Sequence, residues 1–118
     1  MKSFRPSRSP CPVGRASRIL GDRWVLLILR EAFRGVTRFE DFIPATGINR
    51  AALTSRLQML VDAGLMERHP PDSRRAEYRL TEAGEELGPT IIDIGKWGYR
   101  WLFDASESKT HAKYLDEE

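Results

Sequence analysis

The sequence is poor in the residues on which most small-protein chemistry relies. Cysteine occurs once, as Cys11, which excludes an internal disulfide framework and an all-cysteine zinc site. Of the two histidines, His69 falls at the end of a strand-like segment and His111 in a polar tail, so no pair stands at metal-binding spacing. There is no glycine-rich loop of the phosphate-cradling kind and no notable serine–histidine–acid spacing. The longest apolar run, Trp24 to Leu29, is far short of the roughly 20 residues that cross a bilayer. The opening segment MKSFRPSRSP is basic and lacks the apolar stretch of a secretion signal. The expectation is a soluble, cytoplasmic chain that is not an enzyme, takes no cofactor or metal and meets no membrane.

Lysine is also scarce. Of 19 basic residues only Lys2, Lys96, Lys109 and Lys113 are lysine, and the rest are arginine. Arginine meets phosphate through a planar fork and is weakly hydrated, although a GC-rich genome enriches arginine anywhere. The net charge of +2 is unevenly spread. Met1 to Arg79 holds 15 basic and 8 acidic residues, and Leu80 to Glu118 holds 4 basic and 9 acidic. A basic body followed by an acidic segment fits a nucleic-acid binder. With 118 residues, 41% of them hydrophobic, the chain can fill one real core and is not disordered.

Residues 1–10 read as a flexible basic arm, 11–103 as the domain and 104–118 as a polar tail that frays. Cys11-Pro12 opens a helix that Gly21 stops. Asp22 caps the next, Arg23 to Phe33, which is apolar nearly all round and therefore central. Arg38 to Ile43 forms a short amphipathic turn ended by Pro44-Ala45-Thr46-Gly47. Asn49 caps a long helix through Ala63, closed by Gly64, with Leu53, Leu57, Leu60 and Val61 on its apolar face. Leu65 to His69 and Ala76 to Leu80 alternate as half-buried strands do, and Pro70 to Arg75 joins them as a hairpin with an arginine tip. Thr81 caps a last helix running to about Phe103, interrupted in propensity by Gly88-Pro89. The core is expected from Trp24, Leu27, Ile28, Phe39, Phe42, Leu53, Leu57, Leu60, Leu65 and Tyr78.

A short helix, a tight turn and a capped second helix make a helix-turn-helix. A basic two-stranded hairpin after it makes a winged helix-turn-helix. The fold class is thus α+β, mostly α, with extra N- and C-terminal helices for dimerisation. The second helix can enter a major groove about 12 Å wide with its first residues against base edges.

The ordered set CPV, LGDRWVLLILREAFRGVTRFEDF, TGINRAALTSRLQMLVDAGLMERHP, EYRLTEAGEEL and KWG closely resembles the HxlR-type winged-helix transcriptional regulators. Cys11-Pro12, Asp22-Arg23-Trp24, Arg38-Phe39, Leu53-Thr54-Arg56-Leu57 and Tyr78-Leu80-Thr81 carry the resemblance, which runs from Cys11 to about Trp101. It implies a homodimeric repressor or activator on double-stranded DNA, some members answering electrophiles or oxidants through an N-terminal cysteine. The hairpin departs from the family pattern: His69 stands before Pro70 where the family carries an aromatic residue, and this wing is shorter.

The residues expected at DNA are Asn49, Arg50, Ala51, Thr54, Ser55, Arg56 and Gln58 on the long helix, Arg74 and Arg75 on the wing, and Arg38 as a clamp. The plain alternative is a solvated helix face with Asn49 only a cap and Arg56 paired with a neighbouring acid. Cys11 is expected as a redox sensor, because backbone N–H groups at a helix start favour a thiolate and Arg15 and Arg18 add positive charge. A buried, inert thiol is the alternative. Leu87, Ile91, Ile94, Trp97, Gly98, Trp101 and Leu102 form a surplus apolar face expected at a dimer interface, against simple internal packing. The leading reading is a homodimer on an inverted-repeat operator with a small-molecule or oxidant effector. The other readings are a winged-helix protein-interaction module and a ligand or redox sensor with weak DNA affinity.

Overall fold

The computed structural model describes residues 4–107; Met1 to Ser3 of the arm and Ser108 to Glu118 of the tail, with His111, lie outside them. The chain forms two compact units, one up to Glu85 and one from Glu86 onward.

The first unit holds α1 (Pro12–Leu20), α2 (Arg23–Phe33), α3 (Phe39–Thr46), α4 (Arg50–Asp62), β1 (Met66–His69), β2 (Glu77–Leu80) and α5 (Glu82–Glu85). Helix starts follow their caps. Asp22 accepts from the N–H groups of Trp24 and Val25, and Asn49 from that of Ala52. Gly47 and Gly64 take positive φ, 79° and 84°, where a side chain would be strained. The strands pair antiparallel, Met66 opposite Leu80 and His69 opposite Glu77. A single bridge between Arg38 and Glu77 adds a third member, sealed by the Tyr78 N–H donating to the Thr37 carbonyl at 2.7 Å. Sequence alternation missed it, because one bridged residue leaves no period to read.

The core is Val25, Ile28 and Leu29 of α2, Phe42, Ile48, Leu53, Leu57, Leu60, Leu65, Met66 and Ala76. Trp24, Leu27, Phe39 and Tyr78, expected inside, are only half-buried. Helix α2 turns Val25, Ile28 and Leu29 inward and leaves Trp24 and Leu27 partly exposed. Three of the displaced rings lie under guanidiniums: Arg23 is 4.4 Å from the Trp24 centroid, Arg50 5.3 Å from Phe39 and Arg68 5.6 Å from Tyr78. Helix α3 also runs past Ile43. Pro44 sits inside it, and the helix closes where the Thr46 hydroxyl donates to the Phe42 carbonyl at 2.7 Å. That hydroxyl oxygen accepts the Ile48 N–H in turn, fixing the turn that buries Ile48.

Among the described residues of the arm, the Arg5 carbonyl accepts from Arg18 and that of Ser9 from Arg15. At the other end of the unit, Thr81 starts α5 as expected, accepting the Gly84 N–H and donating to the Gly64 carbonyl at 2.6 Å. The helix stops at Glu85 instead of running to Phe103.

The second unit begins a new helix, α6 (Gly88–Leu102), with Pro89 in its first turn, where a missing N–H costs nothing. The Gly88-Pro89 step is therefore a boundary and not a weak spot within one helix. No residue of α6 is buried, and Ile94, Trp97, Trp101 and Leu102 are exposed. Residues 105–107 form a short 3-10 turn capped by Asp104, which accepts from the Ser106 N–H and hydroxyl.

Candidate nucleic-acid interface

Helix α4 divides cleanly. Leu53, Leu57 and Leu60 are buried, whereas Asn49, Arg50, Ala51, Thr54, Ser55 and Gln58 are exposed. Several of the exposed side chains are steadied locally: the Thr54 hydroxyl donates to the Arg50 carbonyl, and the Gln58 amide donates to Asp62. The outward face at the start of α4 presents small residues around one guanidinium, which leaves room for base edges.

Arg56 belongs to a different environment. Half-buried, it donates from Nε at 3.0 Å and Nη2 at 2.9 Å to Asp22 Oδ2, while Asp22 Oδ1 takes two N–H groups of α2. Burial opposes ionisation of Asp22, but the Arg56 hydrogen bond and charge and the Val25 and Trp24 N–H groups outweigh it and hold the carboxyl below its usual range. The acid-pairing alternative for Arg56 is the one observed, so Arg56 ties α4 to the start of α2 instead of offering a free cation.

Beside the start of α4 a groove of about 520 Å³ opens toward the wing, lined by Arg38, Arg50, Arg68, Arg74 and Arg75 together with Phe39, Glu40, Asp41, Ala76 and Tyr78. Its arginines fall into three groups. Arg68 organises the wing, donating to the carbonyls of Pro71 at 3.0 Å and Ser73 at 2.8 Å. Arg38 and Arg50 are each paired, Arg38 with Glu77 at 3.5 Å and Arg50 with Glu40 at 2.8 Å. Arg74 and Arg75 are exposed, and their guanidiniums meet no partner among the described residues. Arg68 was not singled out from sequence. Its only signal is its place one residue before the strand's end, opposite Tyr78.

Cys11 is exposed and caps α1, its Sγ accepting the Gly14 N–H at 3.4 Å. This excludes the buried-thiol alternative. Arg15 and Arg18 are engaged with arm carbonyls, as described above. The apolar residues named for dimerisation lie on α6, with Leu87, Ile91 and Gly98 half-exposed and the others open. Among the described residues no cluster of three or more histidine, cysteine or acidic groups could hold a metal ion, and no helix is long and apolar enough to cross a membrane.

Comparison with known proteins agrees with this geometry. The family model for an HxlR-like helix-turn-helix matches residues 19–106. The uncharacterised HTH-type transcriptional regulator Rv3095 of Mycobacterium tuberculosis (strain H37Rv) is 52% identical over 92 residues, which is 76% of this chain and 58% of that protein. The chain thus spans under two thirds of the length of this relative. The HTH-type regulator sll1512 of Synechocystis is 36% identical over 78% of this chain and 70% of its own. Among solved structures, PA1607, a transcription-factor candidate, superposes with a TM-score of 0.80 at 40% identity, covering 86% of this chain and 72% of that one. The redox regulator HypR in its reduced form gives a TM-score of 0.68 at 27% identity, covering 75% of this chain and 90% of that one. Fold, motif order and matches together place the chain in the HxlR-like helix-turn-helix family of transcriptional regulators.

Proposed function

We propose that this chain is a sequence-specific, double-stranded DNA-binding regulator that acts as a homodimer on an inverted-repeat operator in the cytoplasm, without catalysis or cofactor. The observation that carries this reading is the open face at the start of α4 beside an arginine-lined groove reaching to the wing tip. Arg50, Thr54 and Ser55 approach base edges in a major groove while Arg74 and Arg75 hold phosphate. Exposed Trp97 and Trp101 supply the dimer contact, and the two recognition helices meet half-sites about 34 Å, or one DNA turn, apart or a multiple of it.

A second reading adds redox control, favoured by the exposed position of Cys11 and by the likeness to a protein named as a redox regulator. Two Cys11 thiols, one from each subunit, join as a disulfide, and their two electrons and two protons reduce hydrogen peroxide to two waters.

A gel-shift titration against the DNA upstream of the chain's own gene, across salt and with or without peroxide, tests both readings. Arg74→Ala with Arg75→Ala should weaken binding to all duplexes and lower the salt slope by about two. An unchanged slope removes the wing from the interface. A peroxide response that persists in Cys11→Ser removes the thiol.

A further inference from the structure

The groove carries its own anion at the point where the proposed reading helix begins. Glu40, the second residue of α3, places Oε1 2.8 Å from Nη2 of Arg50, the first residue of α4. The Arg50 guanidinium also lies over the Phe39 ring, so one flexible side chain is fixed from two directions by adjacent residues of one helix. Both members of the pair are well exposed, at 64% and 67%, so water screens the attraction and the net stabilisation is small. Stability therefore does not explain a carboxylate at the centre of a basic groove. Asp41, its neighbour on the same wall, holds no ion pair among the described residues.

We infer that Glu40 is a specificity-determining residue of the DNA interface, keeping Arg50 off phosphate and aligned for a base edge. The inference rests on the DNA-binding reading. A phosphate that captures Arg50 must displace Glu40 and leave two anions side by side, so it gains little. A guanine edge accepts two N–H groups from an arginine fork and brings no charge, so Arg50 can contact it while keeping Glu40. The carboxylate thus penalises indiscriminate binding more than sequence-specific binding. Arg74 and Arg75 hold no such anion among the described residues and supply the indiscriminate part.

The test uses the full chain, a randomised duplex pool, and the duplex that wild-type protein enriches from that pool. Glu40→Gln keeps the side chain's length and removes its charge. It should bind the random pool about three- to tenfold more tightly, with a salt slope larger by about one as Arg50 takes up a phosphate. Affinity for the enriched duplex should change less, so discrimination falls. In an Arg50→Ala background Glu40→Gln should leave discrimination unaltered, and Asp41→Asn, with the same change in charge, should not reproduce the effect. If Asp41→Asn matches Glu40→Gln, or the effect survives loss of Arg50, general charge is responsible and the assignment of Glu40 fails. If wild-type protein enriches no duplex at all, the DNA-binding reading itself fails.

Discussion

Asp22 serves two structures with its two oxygens, one closing the start of α2 and the other gripping α4 through Arg56. Its carboxyl titrates below the unfolded value of about 3.9. Protons therefore bind the unfolded chain first, and the stability that Asp22 contributes is fully present above that value and lost as pH falls through the lower, folded one. Asparagine caps a helix about as well as aspartate. Asp22→Asn should accordingly keep α2 intact, lower stability at neutral pH by about 1–2 kcal/mol by leaving Arg56 without its counter-ion, and flatten this acid-range loss; urea unfolding across that range measures both. The caps Asp22 and Asn49 were legible in the sequence because each signal lies within three residues of what it caps. The partner of Arg56 was not, being 34 residues away and fixed only once α2 and α4 pack. Trp24 was misplaced because its neighbour Val25, with Ile28 and Leu29, fills the inward face of α2.

At the scale of elements, α5 comes so close to β2 and to Leu65, just before β1, that Gly84 has no room for a side chain. An added Cβ would collide with the Leu65 carbonyl oxygen and press on Leu80 Cδ2 at 3.1 Å. Leu65 is held there by the Thr81 N–H, which donates to the same carbonyl at 3.0 Å. Gly84→Ala should therefore destabilise the chain by about 1–3 kcal/mol despite its better helix propensity. Thermal unfolding measures this, and a neutral or stabilising result would show that α5 can shift away. The hairpin was readable from its alternation and its proline-rich turn. What escaped was the bridge from Arg38 and the fracture between α5 and α6, both set by packing or by a proline that starts a helix as readily as it interrupts one.

Over the whole molecule, the arginines gather in the first unit while the exposed tryptophans sit on α6. Exposed tryptophans at 59% and 63% are unusual on a surface meant only for water. Trp97→Ala with Trp101→Ala should shift sedimentation equilibrium from dimer to monomer and weaken binding to a two-half-site operator at least tenfold more than to a single half-site, because paired sites act through effective concentration. An unchanged mass would remove these tryptophans from the proposed subunit contact. The unevenness of charge was legible in the residue counts, whereas the role of each arginine emerged only with its partners. Only Gly21 separates the end of α1 from Asp22, whose far oxygen grasps the middle of α4. The end of α1 is thus tied to that rod through one glycine and one carboxylate.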